Sequence, residues 1–100
     1  MKHRGSKDKN HDLICDTFRM LGCTVADMAT CGVSDFPDVV VGLMGFDVQV
    51  EIKNPDTAYG RRGLTDGQAR YARDWAGRKP VVVYSVDEAV ALVQNWRRAA

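Results

Sequence analysis

The clearest pattern along the chain is a pair of strand-like stretches joined at Met44-Gly45. Val39-Val40-Val41-Gly42-Leu43 is a continuous apolar run. From Phe46 to Lys53 the chain alternates without a break, with Phe46, Val48, Val50 and Ile52 on one face and Asp47, Gln49, Glu51 and Lys53 on the other. If Met44 and Gly45 form a two-residue turn, the stretches pair as an antiparallel hairpin. Its register then sets Asp38 opposite Glu51.

Other elements follow from helical spacing and from caps. Ile14, Phe18 and Leu21 form an apolar stripe on a helix from about Asp8 to Leu21, which Gly22 stops. Cys23 to Met28 reads as a strand, and Thr30 to Asp35 as a turn. Asn54 to Gly63, with Pro55, Gly60 and Gly63, reads as a polar loop long enough to move. Thr65-Asp66-Gly67-Gln68 is a capping box opening a helix that runs to about Gly77, with Gln68, Tyr71, Ala72 and Trp75 on one stripe. Val81 to Tyr84 is a short apolar strand, a pattern suited to the sheet interior. Ser85-Val86-Asp87-Glu88 is a second capping box, and the last helix is expected to pack through Val86, Ala89, Val90, Val93 and Trp96. The order αβββαβα, a meander followed by a β-α-β crossover, predicts an α/β (α+β) fold with a mixed sheet flanked by helices.

One hundred residues make one small domain over 1–100, with 1–7 as a basic arm. A composition of 45% hydrophobic and 27% charged residues is that of a soluble globular chain. The net charge of +1 lacks the strong excess that would announce nucleic-acid binding by itself. Cations nevertheless cluster at Lys2 to Lys9, Arg61-Arg62, Arg70, Arg73, Arg78-Lys79 and Arg97-Arg98. Such clusters suit a phosphate backbone or, equally, solvated helix faces. Cys15, Cys23 and Cys31 are odd in number and lack a CxxC pair. They read as small apolar packing residues in a reducing compartment, so a cytoplasmic location is expected. His11 and Cys15 stand four apart, a weak basis for zinc. No apolar run approaches a membrane span, and no membrane partner is expected.

The hairpin carries the chemistry. Facing carboxylates repel, and a divalent cation between them reverses that penalty. Cleaving a phosphodiester requires charge neutralisation, an activated water and a proton source for the leaving oxygen, and Mg²⁺ with hard oxygen ligands suits all three. Asp38, Glu51 and the Ile52 backbone carbonyl are the candidate ligands. Lys53, two residues after Glu51, points to the same face. It is placed to hold or deprotonate the attacking water, or to balance the charge of the phosphorane. Glu51 and Lys53 alone would read as a surface pair; Asp38, beside an apolar strand and facing an acid, shifts the reading to catalysis.

With these residues in place, the chain resembles the PD-(D/E)-x-K nuclease superfamily. Asp8-Lys9-Asn10-His11, Phe36 to Gly42, Val50 to Lys53, Leu64-Thr65 with Gln68, and Val83 to Ala89 narrow the resemblance to the small stand-alone VRR-NUC domains of phages and prophages. It covers nearly the whole chain and rests on the order and context of short motifs. It implies a restriction-endonuclease-like fold, Mg²⁺- or Mn²⁺-dependent DNA cleavage, a relation to Holliday junction resolvases and a homodimer. If the chain is phage-encoded, the compartment is the bacterial host cytoplasm. Asp38, Glu51 and Lys53 map onto the family's catalytic positions. Gln68 matches a recurrent glutamine of the family that approaches the site from the second helix, which implies a place among the catalytic residues; it is equally the N3 partner of Thr65 in the capping box.

One departure stands out. Such nucleases commonly place a glutamate on the first helix, where this chain has Asn10, His11, Asp12 and Leu13. Asn10 and His11 lie within about 60° of Ile14 on a helix, while Asp12 lies nearly opposite. Asn10 or His11 is therefore the candidate for a first-helix contribution, and Asp12 for a charge complementing the helix dipole. Lys7, Lys9, Arg61 and Arg62 are the candidate DNA contacts, with Tyr59 beside the arginines as part of a strand clamp. Trp75 and Trp96 read as core aromatics. The leading expectation is an endonuclease for branched or flapped DNA. Its rivals are a nuclease fold kept as a DNA-binding or assembly module, and a small α/β module with no nucleic-acid role.

Overall fold

The computed structural model describes residues 6–99, with side chains from Lys9 onward. The arm expected at the amino terminus lies outside the described residues up to Gly5, as does the side chain of Lys7. Helix α1 (Ser6–Met20) starts two residues earlier than its apolar stripe suggests. It buries Ile14, Cys15 and Phe18. It ends where Gly22 adopts φ +92°, which lets the Gly22 N–H reach the Arg19 carbonyl and the Cys23 N–H reach that of Phe18. Those two bonds satisfy carbonyls that the last turn would otherwise leave open.

The sheet is built around the hairpin. Strand β2 (Val39–Leu43) pairs antiparallel with β3 (Phe46–Ile52), with Val39 opposite Val50 and Leu43 opposite Phe46. Met44 and Gly45 both adopt positive φ, 54° and 84°, the conformation of the two-residue turns that match strand twist. Strand β1 (Thr24–Asp27) lies antiparallel on the other side of β2. Gly42 permits that approach, because a Cβ there would stand 2.6 Å from the Thr24 hydroxyl oxygen.

Strand β4 (Val81–Val83) pairs parallel with β3, and the order β1-β2-β3-β4 places it at the edge. The interior position expected from its three valines is therefore corrected. A strand of three residues offers little unpaired backbone, and that makes an apolar edge tolerable. Helix α4 (Val86–Ala99) packs beside α1, burying Ala89 and Val93 and stacking Trp96 on Phe18 with ring centroids 6.4 Å apart. Val86, expected in that packing face, is exposed.

Core residues Val39, Val41 and Leu43 from β2 join Val48, Val50 and Ile52 from β3 under α1 and α4. Helix α3 (Asp66–Asp74) covers the opposite, polar face of β3 and buries none of its own residues. The segment read as a mobile loop contains a one-turn helix, α2 (Ala58–Arg61), capped by the Thr57 hydroxyl. Its placement depends on Gly60, where a Cβ would lie 1.9 Å from the Asn54 carbonyl oxygen. Cys15 and Cys23 are buried as expected, whereas Cys31 is exposed. Burial pushes the Cys15 thiol up to about 11, so it stays protonated and makes a poor metal ligand. No helix among the described residues is long and apolar enough to cross a membrane.

Candidate active site at the end of the β2–β3 hairpin

Strand β3 alternates through its last residues, and that alternation decides which groups meet. The even residues enter the core, while Gln49, Glu51 and Lys53 project beneath α3. Glu51 is 4% exposed and Lys53 is 0% exposed, so this polar face is covered rather than solvated. An ammonium group removed from water requires close partners. Lys53 Nζ donates to Gln68 Oε1 at 3.0 Å, lies 3.4 Å from Glu51 Oε2, and stands 5.1 Å from the centre of the Tyr59 ring. The ring face adds a cation–π attraction to the two oxygen contacts.

Gln68 performs two tasks with one amide. Its Oε1 accepts from the Thr65 N–H at 3.0 Å as well as from Lys53, and its Nε2 donates to Glu51 Oε2 at 3.0 Å. The Gln68 N–H in turn donates to the Thr65 hydroxyl, completing the capping box. Only one orientation of the amide serves this set, since a flipped nitrogen would face two donors. The cap thus aims the side chain that clasps Glu51 and Lys53.

Asp38 sits half-buried at the mouth of the hairpin, and its Oδ2 accepts from the Ile52 N–H at 2.9 Å. The Lys53 N–H bonds the Val83 carbonyl on the β4 side, so alternation turns the backbone of Ile52 toward β2. Continuing the observed register sets Pro37 against Ile52. A proline nitrogen carries no hydrogen, so Pro37 cannot donate to the Ile52 carbonyl and that oxygen loses its ladder partner. Asp38, Glu51 and the Ile52 carbonyl supply hard oxygens of the kind that Mg²⁺ or Mn²⁺ takes, and in chemical type they fit such a cation. Among the described residues no group of three or more His, Cys, Asp or Glu side chains assembles. A cation held here would therefore keep positions for water or substrate oxygens.

The remaining candidates are placed around this centre. Asn10 Nδ2 donates to the Lys53 carbonyl at 2.9 Å and reaches the Tyr84 carbonyl at 3.4 Å, tying α1 to the ends of β3 and β4. His11 turns instead to Asp27 on β1, 3.4 Å away. Arg61 and Arg62 are exposed on and beside α2, with Arg61 donating to the Pro55 carbonyl at 3.1 Å, and Lys9 is exposed on α1.

Two features were hidden in the sequence. Tyr71, read only as part of an apolar stripe, donates its hydroxyl to Gln49 Oε1 at 2.7 Å, one helical turn beyond Gln68. Burial raises its pKa above the ordinary value, which favours the protonated donor. Asp35, at φ 63°, leans against the first turn of α3 where Gly67 leaves room, since a Cβ on Gly67 would lie 2.6 Å from its carboxylate oxygens. Asp35, Pro37, Glu51, Gln68 and Tyr71 line a small cavity of about 20 Å³ under α3.

The chain matches no protein-family model and none of the curated proteins. Among solved structures it is similar to one described as a VRR_NUC domain, at 23% identity and a TM-score of 0.73, covering 93% of this chain and 99% of the other. A second, described as a VRR_NUC domain protein, is 16% identical with a TM-score of 0.61, covering 97% and 92%. The chain has the fold of these domains, and the mixed-sheet architecture expected from its element order is the one observed.

Proposed function

We propose that the chain is a VRR-NUC-family endodeoxyribonuclease that uses Mg²⁺ or Mn²⁺ to hydrolyse phosphodiester bonds in branched or flapped DNA. It would act in the cytoplasm as a homodimer. The observation that carries this reading is the fully buried Lys53, clasped by Glu51 and Gln68 beside Asp38 and the Ile52 carbonyl. A buried ion pair is a weak source of stability, and an apolar pair of similar volume would serve a purely structural purpose as well. The shared fold with VRR_NUC domains supports the same reading.

Asp38, Glu51 and the Ile52 carbonyl would hold the cation. Once bound, it would neutralise charge on the scissile phosphate and acidify an attacking water. Lys53 is held so that its ammonium can position that water or balance charge developing on the phosphate oxygens. Gln68 keeps Lys53 and Glu51 in register with each other. The exposed cations Lys9, Arg61 and Arg62, together with Lys7, would follow the flanking phosphates.

The test is cleavage of labelled duplex, flap and four-way junction DNA in Mg²⁺ or Mn²⁺. The wild-type protein should cut a branched or flapped substrate, and Lys53→Ala should lower the rate by about a thousandfold. Equal cleavage by the variant, or no metal-dependent cleavage of any substrate, would overturn the proposal. A second reading, a DNA-binding module without activity, draws on Asn10 and His11 being engaged with the Lys53 carbonyl and Asp27. It requires DNA binding without cleavage.

A further inference from the structure

Trp75, expected in the core, is 39% exposed at the carboxyl end of α3. Its ring is nevertheless fixed from below. It stacks on Tyr71 with centroids 5.5 Å apart and planes 18° apart. Tyr71 is held by its bond to Gln49 and by the edge of Phe36 at 5.9 Å. Gly77 comes close to the indole Nε1, where a Cβ would lie 3.0 Å away, and the part of the ring left exposed is preorganised by its anchored stacking partner to take another flat group.

Its position is as informative as its exposure. Gln68 contacts Glu51, and Tyr71 contacts Gln49, so α3 runs back along the polar face of β3 toward the Met44-Gly45 turn. Trp75 continues that line, about 10 Å along the helix axis from Gln68. That separation places it within a few nucleotides of the Glu51–Lys53 centre.

The charge around Trp75 suits phosphates. Arg73 pairs with Asp74 at 2.9 Å, and that hydrogen bond, helped by the charges of Arg73, Arg70 and Lys79, holds the Asp74 carboxyl below its usual range. The Lys79 ammonium bonds the Arg73 carbonyl at 2.7 Å and that of Trp75, at the foot of the tryptophan. Arg78 lies 4.8 Å over the Phe46 ring, at the turn end of the hairpin.

We infer that Trp75 is a base-stacking platform for an unpaired nucleotide near the scissile phosphate, with Arg70, Arg78 and Lys79 on the adjoining phosphates. This rests on the nucleic-acid reading above and deepens it. The preferred substrate then carries a single-stranded segment on the turn side of the centre, as a flap does and a fully paired junction does not.

With two tryptophans in the chain, Trp96→Phe leaves Trp75 as the sole tryptophan, whose emission is read under excitation that spares the tyrosines. Short oligothymidylate added in EDTA should quench its fluorescence by more than half. Trp75→Ala should weaken oligothymidylate and flap binding about tenfold, leave blunt duplex binding unchanged, and be largely rescued by Trp75→Phe. Circular dichroism of each variant separates loss of fold from loss of contact. Absence of quenching, or a Trp75→Ala effect equal on all DNAs, would overturn the inference. Cleavage without quenching would remove the platform and leave the nuclease standing. Quenching without cleavage would do the reverse, and absence of both would overturn both.

Discussion

Replacing Lys53 by methionine is expected to cost the fold about 3 kcal/mol, the penalty for stranding one member of a buried pair. Methionine fills much of the same volume, so the loss reports charge rather than a cavity. Glu51 would remain 4% exposed beside the Gln68 amide, with its cation gone. The double variant Glu51→Gln with Lys53→Met removes both charges and should recover most of the stability, since neutral groups tolerate the site better than a lone carboxylate. Neither protein should cleave DNA. Urea denaturation of the single and double variants gives the coupling between the two residues. If Lys53→Met left the midpoint unchanged, the buried clasp would not exist in solution.

Exchanging Gln68 for glutamate should separate the two roles of that residue. A carboxylate at N3 still accepts from the Thr65 N–H, so the capping box survives. It also suits the positive end of the helix dipole. It cannot donate to Glu51, and it places a second negative charge where a 3.0 Å hydrogen bond stood. Cleavage should fall by roughly a hundredfold, while α3 keeps its helical signal in circular dichroism. Gln68→Ala, which loses cap and clasp together, should reduce activity similarly and cost about a further 1 kcal/mol of stability. Full activity in Gln68→Glu would reduce Gln68 to a cap.

How far the chain discloses its own structure differs from one residue to the next. The hairpin was legible because period-two alternation and a two-residue turn together admit one register, and Val39 does face Val50. The Thr65–Gln68 cap was equally legible, as a local motif. What Gln68 touches was not legible in the pattern, because the stripe gives the face that α3 turns inward but not the strand residues it rests on. Strand β4 misled for a related reason. Three valines read alike whether their strand is paired on one side or two, and the absence of a fifth strand among the described residues is a property of the whole sheet. Trp75 falls on a correct helical stripe but lies one turn past the edge of the covering contact. The polar face of β3 looked like a solvated surface, yet Glu51 and Lys53 are buried. That burial removes the solvated-pair reading of Glu51 and Lys53, which Asp38 alone argued against in the sequence.

The central claim is that Asp38, Glu51 and the Ile52 carbonyl hold a divalent cation at the end of the hairpin. Anomalous diffraction from crystals grown with Mn²⁺ tests it most directly. The expected result is a peak about 2.1 Å from oxygens of all three groups, lost in Asp38→Asn crystals. A map with no peak there at saturating Mn²⁺ would contradict the account.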